Sequence, residues 1–186
     1  MSSLDDAYRF YSEHIFDQEK IALLTKHNLK ISGSVPSVMW ELFGAILTQR
    51  SGTGNTGADL LGWEVKSARN NGSYEYQYHL NTGGEKLRED CTVSHLFCQY
   101  SETYKDVMVM AMRGEDLADA YFRKWEPEYL QNYDASVPTQ SRRQRFRRSI
   151  PRGHVASNGI CLLRIENGEM VFKDTDALDA LNQELE

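Results

Sequence analysis

Asp59, Glu64 and Lys66 stand close together in the stretch GADLLGWEVKSA, directly after a glycine-rich run, RSGTGNTG, at 50–57. Read as a strand, Trp63-Glu64-Val65-Lys66-Ser67 puts Glu64 and Lys66 on one face and Trp63 and Val65 on the other, toward a core. Asp59, on a bent segment just before, reaches the face of Glu64. Two carboxylates and an ammonium converging beside a glycine-rich loop suit Mg2+, a hard cation that takes carboxylate oxygens and keeps several waters. Charge on a phosphodiester would be stabilised there and an attacking water acidified, with Lys66 holding that water or the scissile phosphate. The competing reading is a solvated Glu/Lys pair on a half-exposed strand, which such common residue types produce by chance.

Two further stretches could meet a polyanion. Residues 73–81 read SYEYQYHLN, and strand alternation separates Tyr74, Tyr76 and Tyr78 from Glu75, Gln77 and His79. Gln and His can bond base edges, and Tyr can contact phosphates. Either face could serve, with Asn81 at the end of the stretch, or the tyrosines could simply pack on a core. Residues 141–152, SRRQRFRRSIPR, hold six arginines and no acid within a chain of net charge −6. Arg142, Arg143, Arg145, Arg147 and Arg148 are therefore candidate phosphate contacts, against the commoner fate of a charge run as a solvated loop.

The elements that must position these groups follow from periodicity. Residues 4–29 predict one helix, with Leu4, Ala7, Tyr8, Tyr11, Ile15, Ile21 and Leu24 at spacings of three and four. A second helix starts near Pro36, with Met39, Leu42, Phe43, Ile46 and Leu47 as its apolar stripe. Residues 58–67 read as two short strands or a bent hairpin, 85–91 as a short helix or loop, and 93–99 and 106–112 as buried strands. A helix over 115–132 should break or kink at Pro127. Strands follow within HVASNGICLLRI and EMVFK, joined by an Asn167-Gly168 turn, and a short helix ends the chain. Helices flanking a central run of strands predict an α/β (α+β) sheet domain.

Composition excludes several classes. A chain of 186 residues, 40% hydrophobic and 26% charged, is neither disordered nor collagenous, and its length suits one domain. No apolar run is long enough to span a membrane, and the acidic N-terminus does not resemble a signal peptide. Cys91, Cys98 and Cys161 lack metal-type spacing and are expected to be reduced thiols in a cytoplasmic protein. The glycine loop lacks the Gly-Lys-Ser/Thr of a P-loop, and no HExxH or G-x-S-x-G motif is present.

The pattern D-x4-E-V-K resembles the signature of the PD-(D/E)XK nucleases, and within them the PvuII-type restriction endonucleases. Gly54-Asn55 before Asp59 and Lys66-Ser67 after it are similar to that family's catalytic hairpin. Arg113 and DLADAYFRKWEPEY, around Lys124-Trp125-Glu126, resemble its late helix, and Ser149-Ile150-Pro151 leading to His154-Val155 its approach to the C-terminal strand. The likeness spans about residues 35–165 in the same order; Ala58-Asp59 replaces the proline-aspartate opening, and the Asp-to-Glu gap is shorter.

The resemblance implies a restriction-endonuclease-like fold, a central mixed β-sheet flanked by helices, and Mg2+-dependent double-strand cleavage of DNA. It implies Asp59, Glu64 and Lys66 as catalytic residues, with Glu41 joining Asp59 and Glu64 at the metal, and a DNA-reading segment after the catalytic strand. Residues 35–165 would form the catalytic and DNA-binding core, 1–34 a helical candidate dimerisation segment, and 166–186 a hairpin strand and short helix. A homodimer matches a palindromic duplex site. The rivals are a repair nickase or junction resolvase of the same fold, and a non-catalytic DNA-binding protein.

Overall fold

The computed structural model describes residues 2–54, 57–79, 82–132, 136–141 and 145–185. Its centre is a five-stranded mixed sheet in the order β1 (Trp63–Arg69), β3 (Ser94–Tyr100), β4 (Val107–Arg113), β6 (Ile160–Glu166) and β7 (Glu169–Lys173). β1 and β3 are parallel, and the remaining neighbours are antiparallel. A parallel pair cannot be closed by a tight turn, so the chain must cross over between its strands. Here the crossover is β2 (Tyr74–His79) followed by α4 (Gly83–Glu89). β2 leaves the main sheet and pairs antiparallel with β5 (Arg145–Ile150), forming a separate two-stranded ribbon.

Each face of the sheet carries an apolar layer. On one side α1 (Ser3–Phe10), α3 (Ser37–Thr48) and α8 (Thr175–Gln183) bury Leu4, Trp40, Phe43 and Leu178 with Trp63, Val65, Leu96 and Val109. On the other, α5 (Gly114–Leu117), α6 (Arg123–Asn132), α7 (Arg152–Asn158) and the ribbon enclose Phe97, Met110 and Met112. β3 is buried on both faces from Ser94 to Gln99, with Leu96, Phe97 and Cys98 apolar and Ser94, His95 and Gln99 buried polar groups. The outer segments share the first layer: Leu4 and Leu178 belong to the same core as Leu96.

Several expected elements are displaced. The helix expected over 4–29 is divided, because a π-helical turn at Tyr11–Ile15 runs into Phe16, which turns inward, and Asp17 accepts from Lys20 N at 2.8 Å to start α2 (Gln18–Lys26). The apolar stripe of α3 holds at Phe43 and Leu47, with Met39 and Ile46 partly buried on the same core, but it also takes in Trp40 and Gly44 and leaves Leu42 47% exposed. α6 runs through Pro127, and the irregularity lies upstream in a π-helical turn at Ala118–Phe122. His154-Val155-Ala156 lies in α7, capped by Pro151, so the strand begins only at Ile160. The Asn167-Gly168 hairpin turn is as expected, with both residues at positive φ. No helix of the described residues is long and apolar enough to cross a membrane.

Two glycines set how closely the layers approach. A Cβ on Gly44 would stand 2.8 Å from Val65 Cγ2, so α3 lies directly on β1. A Cβ on Gly83 would meet the Tyr129 ring at 2.6 Å and Tyr78 Cβ at 2.8 Å, so α4 sits against both ribbon and α6. Gly83→Ala is therefore expected to lower unfolding free energy by about 1–3 kcal/mol, the usual cost of overpacking a filled site. Urea denaturation measures it; a midpoint unchanged from wild type would show that α4 is not held this tightly.

Candidate active site

Asp59 is placed by a tight loop rather than by a strand. Leu60 and Trp63 exchange backbone bonds of 2.9 and 3.1 Å across Leu61-Gly62, with Gly62 at φ +78°. Leu61 N donates to Ser51 O, and Thr53 Oγ1 donates to Ala58 O, so the glycine loop is stitched to the same bend. β1 is an edge strand, and the free edge of its backbone is where Asp59 engages: the Asp59 carboxylate accepts from Val65 N at 2.9 Å. Asp59 N in turn lies 3.2 Å from Glu64 Oε2. The bend and strand together hold the two carboxylates side by side.

Glu64 is only 2% exposed, and an isolated buried carboxylate would be costly. It is bracketed by two ammoniums. Lys66 Nζ donates to Oε1, and Lys86 Nζ donates to Oε2 at 2.7 Å. Burial alone would raise the Glu64 carboxyl, but the two lysines outweigh it and hold the group well below the usual carboxylate range. Lys66 also lies 5.0 Å over the Tyr76 ring, and burial, which would lower it, is overridden by Glu64 and Asp59.

Lys86 was not singled out in the sequence. It sits in GGEKLRED, where nothing marks it among ordinary helix charges. The crossover brings it over β1, where Asp90 anchors it: Lys86 Nζ donates to Asp90 Oδ1 at 2.6 Å, and Tyr78 OH to Asp90 Oδ2 at 2.8 Å. Beneath them His95 Nε2 bonds the Asp90 carbonyl at 2.8 Å, leaving Nδ1 to accept from Tyr76 OH, also at 2.8 Å. That carbonyl takes a donor only, so the ring is a neutral Nε2–H tautomer; burial lowers its pKa to about 4.

Asp59 has no ammonium of its own. Burial, and then the charge of Glu64, push its pKa up to about 6, with Glu41 on α3 adding in the same direction. Glu41 is thus near enough for its charge to be felt at Asp59. Among the described residues, however, no three His, Cys, Asp or Glu side chains form a ready-made cage. Mg2+ does not need one, since it is held by one or two carboxylates with waters and substrate oxygens. A half-buried aspartate, unneutralised beside a second carboxylate, is the donor set such a cation would fit.

The ribbon corrects part of the expected DNA surface. Tyr74, Tyr76 and Tyr78 are each 1% exposed and pack against Phe97, Phe122, Trp125 and Phe146, so they are core and not contacts. Arg148 is also diverted: it lies over the Phe146 ring and donates to Glu128 on α6. The opposite face of the ribbon carries Glu75, Gln77 and His79 from β2 and, paired with them, Ser149, Arg147 and Arg145 from β5. Arg147 Nε donates to Gln77 Oε1 at 3.1 Å. A cleft of about 680 Å3 runs from this face past Gln77 and His79 to Gly57 and Lys86. Asn55, Asn81, Arg142 and Arg143 lie outside the described residues.

No protein-family model matches the chain, and no curated protein shows detectable sequence similarity to it. The site must therefore be judged on its own geometry.

The raised Asp59 pKa has a stability consequence. In the fold Asp59 retains its proton to about pH 6, against an ordinary aspartate value of 3.8. The folded state thus binds the extra proton, and the stability it gives is lost as pH rises from 3.8 through about 6. Asp59→Asn is expected to stabilise the chain at pH 7.5 in chelator, on the order of 1–2 kcal/mol, with the gain vanishing near pH 4. Thermal melts across pH check it; a destabilised Asn variant at pH 7.5 would show that Asp59 is not strained.

Proposed function

We propose that the chain is a Mg2+-dependent endodeoxyribonuclease of the restriction type, cutting both strands of a palindromic duplex site as a homodimer in the cytoplasm, with the restriction-endonuclease-like fold its resemblance implies. The observation that carries this reading is the convergence of Asp59, Glu64 and Lys66 at an edge strand, with the Asp59 carboxyl raised to about 6 beside the Glu64 charge. The mixed sheet flanked by helices is compatible with it.

In this reading Asp59 and Glu64 would hold the cation, with Glu41 contributing charge from α3. When bound, the cation supplies stabilisation of charge on the phosphodiester and acidifies the water nucleophile. Lys66, released from full engagement with Glu64, donates to a nonbridging phosphate oxygen or holds the attacking water. Val65 N keeps the Asp59 carboxylate oriented, so the geometry is set before substrate arrives.

The outer face of the ribbon supplies the duplex contacts. A two-stranded β-ribbon fits the major groove, and Gln77, His79, Arg145 and Arg147 occupy that face at alternate positions. One observation favours a second reading. Glu64, closed between two lysines, is also what a purely structural buried ion pair presents. The chain would then bind DNA through the ribbon without cutting, and binding would not respond to divalent cations.

Lys66→Met is expected to slow plasmid cleavage in Mg2+ by about a hundredfold or more, while Lys86 still neutralises Glu64 and preserves the fold. Discrete bands from wild type, lost in the variant, support the nuclease. Cleavage within tenfold of wild type sinks the role given to Lys66, and no cleavage by wild type on any duplex favours the binding protein.

DNA titrations in Ca2+ across a salt series separate the ribbon residues. Arg145→Ala should weaken specific and random duplex alike and flatten the salt slope by roughly one unit. Gln77→Ala should cost about 1–3 kcal/mol on the specific site only. Because Gln77 is tied to Arg147, Arg147→Ala should combine both effects and be less than additive with Gln77→Ala. Equal effects of all three on random DNA would remove the base-reading assignment.

A further inference from the structure

We infer that each chain holds a single divalent cation, at Asp59 and Glu64, because the Lys86 ammonium already stands where a second cation would bridge. The inference rests on the nuclease reading above and specifies how many cations that site takes.

Lys86 Nζ is surrounded as a small cation would be. It lies 2.7 Å from Glu64 Oε2, 2.6 Å from Asp90 Oδ1 and 3.7 Å from Glu89 Oε2. Three carboxylates from β1 and α4 thus face one compact point charge. Asp90 is fully buried, and its other oxygen is taken by Tyr78 OH, so its remaining charge is directed at Lys86. Glu64 is the shared ligand. One of its oxygens accepts from Lys66 and the other from Lys86, the arrangement of a carboxylate bridging two positive centres.

The cage around Lys86 is reachable, because Lys86 lines the cleft of about 680 Å3 that opens to the ribbon face. Removing the ammonium therefore exposes Glu64 and Asp90 to solvent ions.

The test is Mn2+ binding to the DNA-free full chain at pH 7.5, counted by calorimetry and by the loss of the free-ion electron paramagnetic resonance signal. Wild type and Lys86→Arg are expected to bind one Mn2+ per chain. Lys86→Met, or Lys86→Gln should the Met variant not fold, is expected to bind two, with melting curves establishing that each variant is folded. Two Mn2+ per wild-type chain, or a folded neutral variant that still binds one, would overturn the assignment of Lys86 while leaving the nuclease reading intact. No Mn2+ bound by wild type, with Asp59→Asn indistinguishable from it, would overturn both.

Discussion

A carboxylate at 2% exposure on the edge strand of the sheet requires compensation, and Glu64 receives it from two directions at once. Lys66 comes from the same strand two residues on. Lys86 comes from a helix that reaches this position only because β1 and β3 run parallel and the chain must cross over between them. Removing Glu64 altogether would leave two half-buried ammoniums facing each other, an outcome that costs several kcal/mol in comparable sites. The pairing is therefore structural as well as chemical. It leaves Asp59, the one acid of the group without a lysine, as the place where electrostatic tension collects.

The ribbon joins recognition to the core. Its inner face is built of tyrosines, and their hydroxyls are not left idle: Tyr76 bonds His95 and Tyr78 bonds Asp90, beneath the lysine that holds Glu64. Its outer face is polar and basic and shares the cleft with that same lysine. A shift of β2 along its own axis would thus be felt at Asp90 and Lys86. Such a link between a contact surface and a charged centre is built from buried hydrogen bonds, with no need for a hinge.

The legible part of this structure was what alternation governs. Glu64 and Lys66 fall on one face and Trp63 and Val65 on the other because a strand has period two, and the same rule split the tyrosines from Glu75, Gln77 and His79. What alternation could not say is which face meets protein; that was decided by Phe97, Phe122 and Trp125, which come from other elements. Lys86 and Asp90 were invisible for the same reason, since their partner Glu64 is brought to them by topology. In the helices, the 3.6 period places Leu4, Ala7, Tyr11 and Ile15 inward correctly, but it does not show that the helix stops after a π-helical turn at Tyr11–Ile15 and restarts at the Asp17 cap. On α3, spacing places Phe43 and Leu47 correctly in the core, but the close fit of Gly44 on Val65 brings Trp40 inward as well and leaves Leu42 outside.

The hairpin of β6 and β7 closes against the first helix. Tyr8 OH reaches the Gly168 carbonyl across 160 residues of chain, and Lys173 bonds Asp5 across 168. During synthesis α1 would wait on the order of ten seconds or more for the hairpin that bonds to it, at about 5–20 residues per second. Leu4, Ala7, Tyr11 and Ile15, all fully buried in the finished protein, share their core with Trp40, Phe43 and Leu47 of α3, made soon after them, and with Leu162 and Leu163 of β6, made much later. The layer is thus begun by a local helix pair and finished by long-range closure, and closure of this kind favours slow folding.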